Sequence, residues 1–201
     1  MRKLALPVIA LAFLTGSLGA ASVARCADAS RDVHRSVVDY EIPPVELTRD
    51  DGARVSLPKE LADGRPVVVN FIYTTCTTIC PLSSQVFELF QRRLGANRNL
   101  VHLVSISIDP EEDTPAQLRR YAQQFHAGAG WQYYTGTTQA SIAAQRAFAV
   151  YRGDKMNHTP VTLMRNAAGG PWVRLEGFAT ADDLYAEYRS LSLRNDPVAG
   201  Q

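Results

Sequence analysis

An apolar run at Val67-Val68-Val69, continuing through Phe71-Ile72-Tyr73, is rich in β-branched residues and predicts a strand covered on both faces. Pro81 follows, then Leu82, Val86, Leu89, Phe90 and Leu94 at helical spacing, which predicts a helix with proline in its first turn. Gly95 and Asn97 stop that helix, and Leu100 to Ile108 is a second buried run. Strand, helix and strand with short links make a right-handed parallel crossover. Upstream, Val45-Glu46-Leu47-Thr48 and Arg54-Val55-Ser56-Leu57 alternate around Asp50-Asp51-Gly52, the pattern of a hairpin. Lys59 to Leu61 suits a short helical turn. Downstream, Thr114-Pro115 opens a helix carrying Leu118, Tyr121, Ala122 and Phe125. Trp131 to Gly136 reads as a strand and Thr138 to Val150 as a helix. Pro160 to Met164 and Trp172 to Leu175 close an antiparallel pair around 167–170, and Thr180 opens a last helix with Leu184, Tyr188 and Leu191.

This order, with cysteines at a strand-to-helix junction, points to an α/β thioredoxin-like fold: an N-terminal β-hairpin, a mixed central sheet flanked by helices, and one inserted helical segment. The folded domain is expected over 45–193, with a tail at 194–201. Residues 25–44 are polar, show no period and end in Pro43-Pro44, so they read as a linker. Positive charge at Arg2-Lys3 followed by uncharged Leu4 to Ala24 reads as an export signal, with cleavage expected before Arg25 after Ser22-Val23-Ala24. Residues 4–24 are also about long enough for a membrane tether, which needs roughly 20 residues. Either way the domain is expected outside the cytoplasm, periplasmic or anchored to the membrane facing the periplasm. Cys26 follows Arg25 rather than a small residue, so it is not a lipidation site and belongs to the tail segment.

With 201 residues, 46% hydrophobic and 20% charged, the chain suits one globular domain plus an extension. Net charge is +1 and no basic stripe interleaves with aromatics, which gives a nucleic-acid partner no support.

The chemistry concentrates at Cys76 and Cys80, in the loop and first turn before Pro81. Unpaired N–H groups and the helix dipole favour anions there, so both thiols are expected to have lowered pKa values. Thr74, Thr75, Thr77 and Thr78 surround them, which argues against an apolar pocket and against two inert core cysteines. Four residues apart near a helix start, the sulfurs suit either a disulfide or one soft metal ion.

The residues Phe71 to Pro81 resemble the Cys-x-x-x-Cys-Pro motif of the Sco (SenC) family of copper proteins, associated with assembly of the binuclear copper centre of cytochrome oxidase. Ser105 to Pro115 is similar to that family's strand-end Asp-Pro and Asp-Thr-Pro pattern, and His158 before Val161-Thr162-Leu163-Met164 stands where the family has its third copper ligand. The likeness spans about Val45 to Leu191. The chain departs from the pattern at Thr77, where a proline is frequent, and at Asn166, where an acidic residue is frequent.

The resemblance implies copper, Cu(I) or Cu(II), as cofactor, with Cys76, Cys80 and His158 as ligands. It implies a metallochaperone that delivers copper to, or prepares, the centre of an exported or membrane cuproprotein such as cytochrome c oxidase. The alternative is a thiol-disulfide oxidoreductase acting on a copper enzyme's cysteines, with Cys76 attacking, Cys80 resolving and a thiol reductant protein as partner. A peroxidase reading of Cys76 lacks the proline such sites place ahead of the thiol. By itself His158 reads more readily as a loop histidine than as a ligand. Asp109 is either a supporting residue that orients a ligand or partner, or a cap on the turn before Pro110. His34, His102 and His126 read as structural or solvated, Met156 as incidental, and Glu111-Glu112-Asp113 as a solvated turn.

Overall fold

The computed structural model describes residues 33–166 and 170–193. The export segment and its cleavage point, Cys26, residues 167–169 of the closing turn and the tail 194–201 lie outside the described residues. In chain order the elements are β1 (His34–Val38), β2 (Glu46–Arg49), β3 (Arg54–Ser56), α1 (Leu57–Glu60), β4 (Val67–Ile72), α2 (Ile79–Leu94), β5 (His102–Ser107) and α3 (Pro115–Gln124). Then come β6 (Trp131–Thr135), α4 (Thr138–Ala147), β7 (Val161–Arg165), β8 (Trp172–Glu176) and α5 (Ala181–Leu193), with short 3-10 turns at Gly95–Leu100 and Lys155–Asn157.

The strands form one 8-stranded sheet in the order β1-β8-β7-β4-β5-β6-β2-β3. β4 pairs parallel with β5, and β5 parallel with β6, while β7 runs antiparallel beside β4. Side chains alternate across β4. Val67, Val69 and Phe71 pack with Leu57, Ala144 and Phe148, whereas Val68 and Ile72 pack with Phe87 and Phe90 of α2, Tyr121 of α3 and Leu184 of α5. Helices therefore cover both faces, the mixed α/β, thioredoxin-like arrangement that the element order predicts. Each fully buried apolar side chain of this kind contributes about 1.5–3 kcal/mol, so the two layers hold the end of β4 in place.

Local chemistry sets the boundaries. In the β2–β3 turn Gly52 adopts φ +93° and Asp51 Oδ1 accepts the Ala53 N–H at 2.9 Å. Thr114 caps α3 by accepting the Gln117 N–H at 3.3 Å, directly before Pro115. α4 ends at Ala147, short of the expected Val150, because Ala149 turns the backbone to φ +53°.

One segment departs from the sequence reading. His34–Val38, taken as linker, is an edge strand paired antiparallel with β8 from His34↔Glu176 to Val38↔Trp172. Arg35 makes a two-pronged ion pair with Glu187 of α5 at 2.8 Å. Tyr40 packs edge-on against Phe148, with ring centroids 5.3 Å apart, and accepts a hydrogen bond from Arg174 at 3.0 Å. The strand is mostly exposed, so its stabilisation comes from ladder hydrogen bonds and these anchors and leaves no hydrophobic alternation to read.

Candidate metal centre

β4 is buried along its whole length and delivers Tyr73 and Thr74 to a loop that reaches Cys76 before α2 begins at Ile79. The loop is fixed by Asp113. Its carboxylate accepts the Thr74 N–H at 3.1 Å, the Thr74 hydroxyl at 2.5 Å and the Ser107 hydroxyl at 2.6 Å. Asp113 is fully buried, so it is not part of a solvated turn. Burial pushes its pKa up against the pull of these hydrogen bonds. The signal for it was present in the Asp-Thr-Pro sequence, but its partners lie on two other segments.

Thr78, at the N-cap of α2, makes no side-chain cap. The first-turn amides are thus available to another acceptor, and the Cys80 N–H points at Cys76 Sγ from 3.4 Å. The Thr78 hydroxyl lies 3.8 Å from the same sulfur. Burial raises the Cys76 pKa, but the backbone N–H groups of Cys80 and Thr78, with help from the Cys80 and Tyr73 side chains, outweigh it and bring the thiol to about 7. Tyr73 moves the other way, pushed up to about 12 by burial and by its hydrogen bond to Cys76.

Cys80 corrects the expectation that both thiols would be acidified. Burial pushes its pKa far up, and the neighbouring Cys76 and Asp113 add to the shift. Nor are the thiols outside an apolar environment. Cys76 and Cys80 are 6% and 1% exposed and belong to the core cluster that includes Ile72, Tyr73 and Phe87. Thr75, Thr77 and Thr78 are exposed, and the Thr78 hydroxyl approaches Cys76 Sγ at 3.8 Å. Both cysteines are free thiols.

His158 sits in the loop between α4 and β7, after the Lys155–Asn157 turn. Its Nε2 donates to the Phe71 carbonyl at 3.0 Å, which leaves the lone pair on Nδ1. Burial lowers its pKa and keeps the ring neutral, the form a metal ligand requires. Asp109 makes no hydrogen bond to His158 among the described residues. It ties the same loop down through Lys155, whose Nζ lies 2.5 Å from Asp109 Oδ2, and its own N–H is held by Ser107 Oγ at 3.0 Å. The structure thus brings Cys76 and Cys80 together, with His158 anchored separately at the end of β4. No group of three or more His, Cys, Asp or Glu among the described residues is closed around a metal-sized point.

Two anchored thiols and a neutral imidazole are a soft donor set whose chemistry fits copper. A groove of about 490 Å³ runs beside it, lined by Ile108, Asp109, Val150, Arg152, Lys155 and His158. The remaining histidines serve structure. His102 is buried, with Nδ1 3.0 Å from Asp63 and Nε2 3.1 Å from the Tyr134 hydroxyl, while His126 pairs at the surface with Glu88 at 3.1 Å.

The chain and its fold are similar to known proteins. The SCO1 protein homolog of Bacillus subtilis is 35% identical over 106 residues, covering 52% of this chain and 54% of the relative. The chain thus spans about half the length of that curated relative. Among solved structures, the copper-bound ScoI of Bradyrhizobium japonicum superposes with a TM-score of 0.63 at 25% identity, covering 74% of this chain and 98% of that one. BsSco, a Sco-family cytochrome c oxidase assembly protein in which a disulfide switch was identified, superposes with a TM-score of 0.65 at 28% identity, covering 79% and 96%. The SCO1/SenC family model matches residues 37–192, from within β1 to the last turn of α5 and including every residue of the thiol loop, so the chain belongs to the SCO1/SenC family.

Proposed function

We propose that this protein is a copper metallochaperone. Cys76 and Cys80 supply thiolates and His158 an imidazole to one copper ion, which is delivered to, or used to prepare, the copper centre of a cuproprotein such as cytochrome c oxidase. The observation that carries this reading is the Cys76 thiol at about 7 beside Cys80 at a helix start, within a chain of this family. The copper in the similar ScoI structure supports it. Two sulfurs and one nitrogen suit Cu(I) and also hold Cu(II), and a low coordination number leaves a side open for the recipient's ligands. Cys80 is protonated at rest, so loading releases its proton. The uncharged segment 4–24 supports an exported location, periplasmic or tethered to the membrane facing the periplasm. Among the described residues no helix is long and apolar enough to cross a membrane.

The test is copper content and the thiolate-to-copper absorption band of the reduced protein, compared with Cys76→Ser and His158→Ala. One ion per chain, lost in the first variant and weakened in the second, is the expected result. Parent-like copper in His158→Ala removes the third ligand, and a reduced parent that takes no copper removes the function.

The unequal thiols favour a second reading, a thiol-disulfide oxidoreductase. Cys76 near 7 has the character of an attacking thiolate, and the protonated Cys80 that of a resolving thiol. A thiol reductant protein would then be the partner. Turnover of a disulfide substrate that survives Cys76→Ser eliminates this reading.

A further inference from the structure

Met156 is 73% exposed, yet its surroundings are fixed. Asp154 Oδ1 accepts the Met156 N–H at 2.8 Å, Lys155 is held by Asp109 at 2.5 Å, and His158 is held by the Phe71 carbonyl at 3.0 Å. This anchored turn presents the thioether to the phenol of Tyr73, whose hydroxyl donates to Met156 Sδ at 3.8 Å. The same tyrosine also acts on Cys76, whose pKa its side chain helps to lower. One phenol therefore neighbours the thioether and influences the acidified thiol, at the rim of the site. An exposed methionine held this way gains little from burial, so packing does not explain its position.

We propose that Met156 Sδ is an additional copper ligand, selective for Cu(I), that replaces the Tyr73 hydroxyl as the neighbour of Cys76 when the ion arrives. The proposal rests on the copper reading above and deepens it by naming the oxidation state. A thioether is neutral and soft, so it favours Cu(I) over the harder Cu(II) and binds without losing a proton.

The experiment titrates the reduced full chain, labelled at the methionine methyl carbons, with Cu(I) held by a competing chelator. Met164, 1% exposed in the core, serves as the internal control. The Met156 methyl resonance is expected to shift within the first equivalent while that of Met164 stays in place. Met156→Leu, which keeps the shape and removes the sulfur, is expected to weaken Cu(I) binding by about tenfold and to leave Cu(II) binding unchanged. An unshifted Met156 methyl, together with parent Cu(I) affinity in Met156→Leu, overturns the proposal. If Cys76→Ser loses copper in that same series, the copper reading survives alone. Full Cu(I) binding in Cys76→Ser overturns both.

Discussion

The Cys80 N–H is aimed at Cys76 Sγ from 3.4 Å, while the Cys80 thiol itself is 1% exposed in the core. A single helix start thus gives its two thiols opposite behaviour. Helix-terminus electrostatics act on the sulfur that the amides reach, and burial acts on the one they do not.

Alkylation should follow this division. Cys76 is expected to react with iodoacetamide with a pH midpoint of about 7, and Cys80→Ser should retain that profile. In Cys76→Ser, Cys80 should react slowly even above pH 9, because burial pushes its pKa up. The folded Cys76 pKa lies below the ordinary value of 9.0. Its thiolate therefore contributes stability that is complete above the unfolded value and lost as pH falls through about 7. Mass spectrometry of the modified chain checks the assignment, and equal rates at both cysteines would contradict it.

Asp113 is the residue on which the thiol loop depends. Asp113→Ala leaves the Thr74 amide and the Thr74 and Ser107 hydroxyls without their acceptor. A loss of about 2–4 kcal/mol is expected, read as a lower urea midpoint with unchanged slope. The Cys76 midpoint should also rise in this variant as the loop loosens. An unchanged urea midpoint would show that Asp113 is dispensable.

Sequence showed the parts of this fold that are specified locally. The period of β4 and α2, the Thr114-Pro115 cap and the Asp51-Gly52 turn each carry their signal within a few residues. Elements that depend on distant partners were not legible. β1 is defined by pairing with β8 and by Glu187, Asp113 is buried only because Thr74 and Ser107 converge on it, and the Cys80 thiol is shielded by the packed core. The same holds at the site. Cys76 and Cys80 were visible as a pair, whereas the contact of the Tyr73 hydroxyl with Met156 needed the loop after α4 to be laid against β4.

Because β1 belongs to the domain, a chain started at Val45 should be less stable than one started at Val33. It loses the Arg35–Glu187 pair and the packing of Tyr40 on Phe148, and it uncovers the edge of β8. Partial burial of Tyr40 suggests a loss of roughly 1 kcal/mol, and an uncovered strand edge favours association. Paired urea curves and light scattering test this, and coincident curves would return the segment to the status of linker.

Copper loading and disulfide formation draw on the same two sulfurs, so they should exclude each other. Oxidation of Cys76 and Cys80 forms one S–S bond with loss of two protons and two electrons to an added oxidant such as oxidised glutathione, and it removes both thiolate ligands. It also removes the charge that the Cys80 N–H stabilises, so the acidic thiol that starts metal capture no longer exists. The oxidised protein is expected to take up no copper, and reduction should restore uptake to the level of the untreated chain. Conversely, copper-loaded protein should resist oxidation, because its thiolates are bound to the metal. Parallel measurement of free thiols and bound copper after each treatment checks both directions. Copper retained at full level by the disulfide form would mean that the ion is held elsewhere than at Cys76 and Cys80.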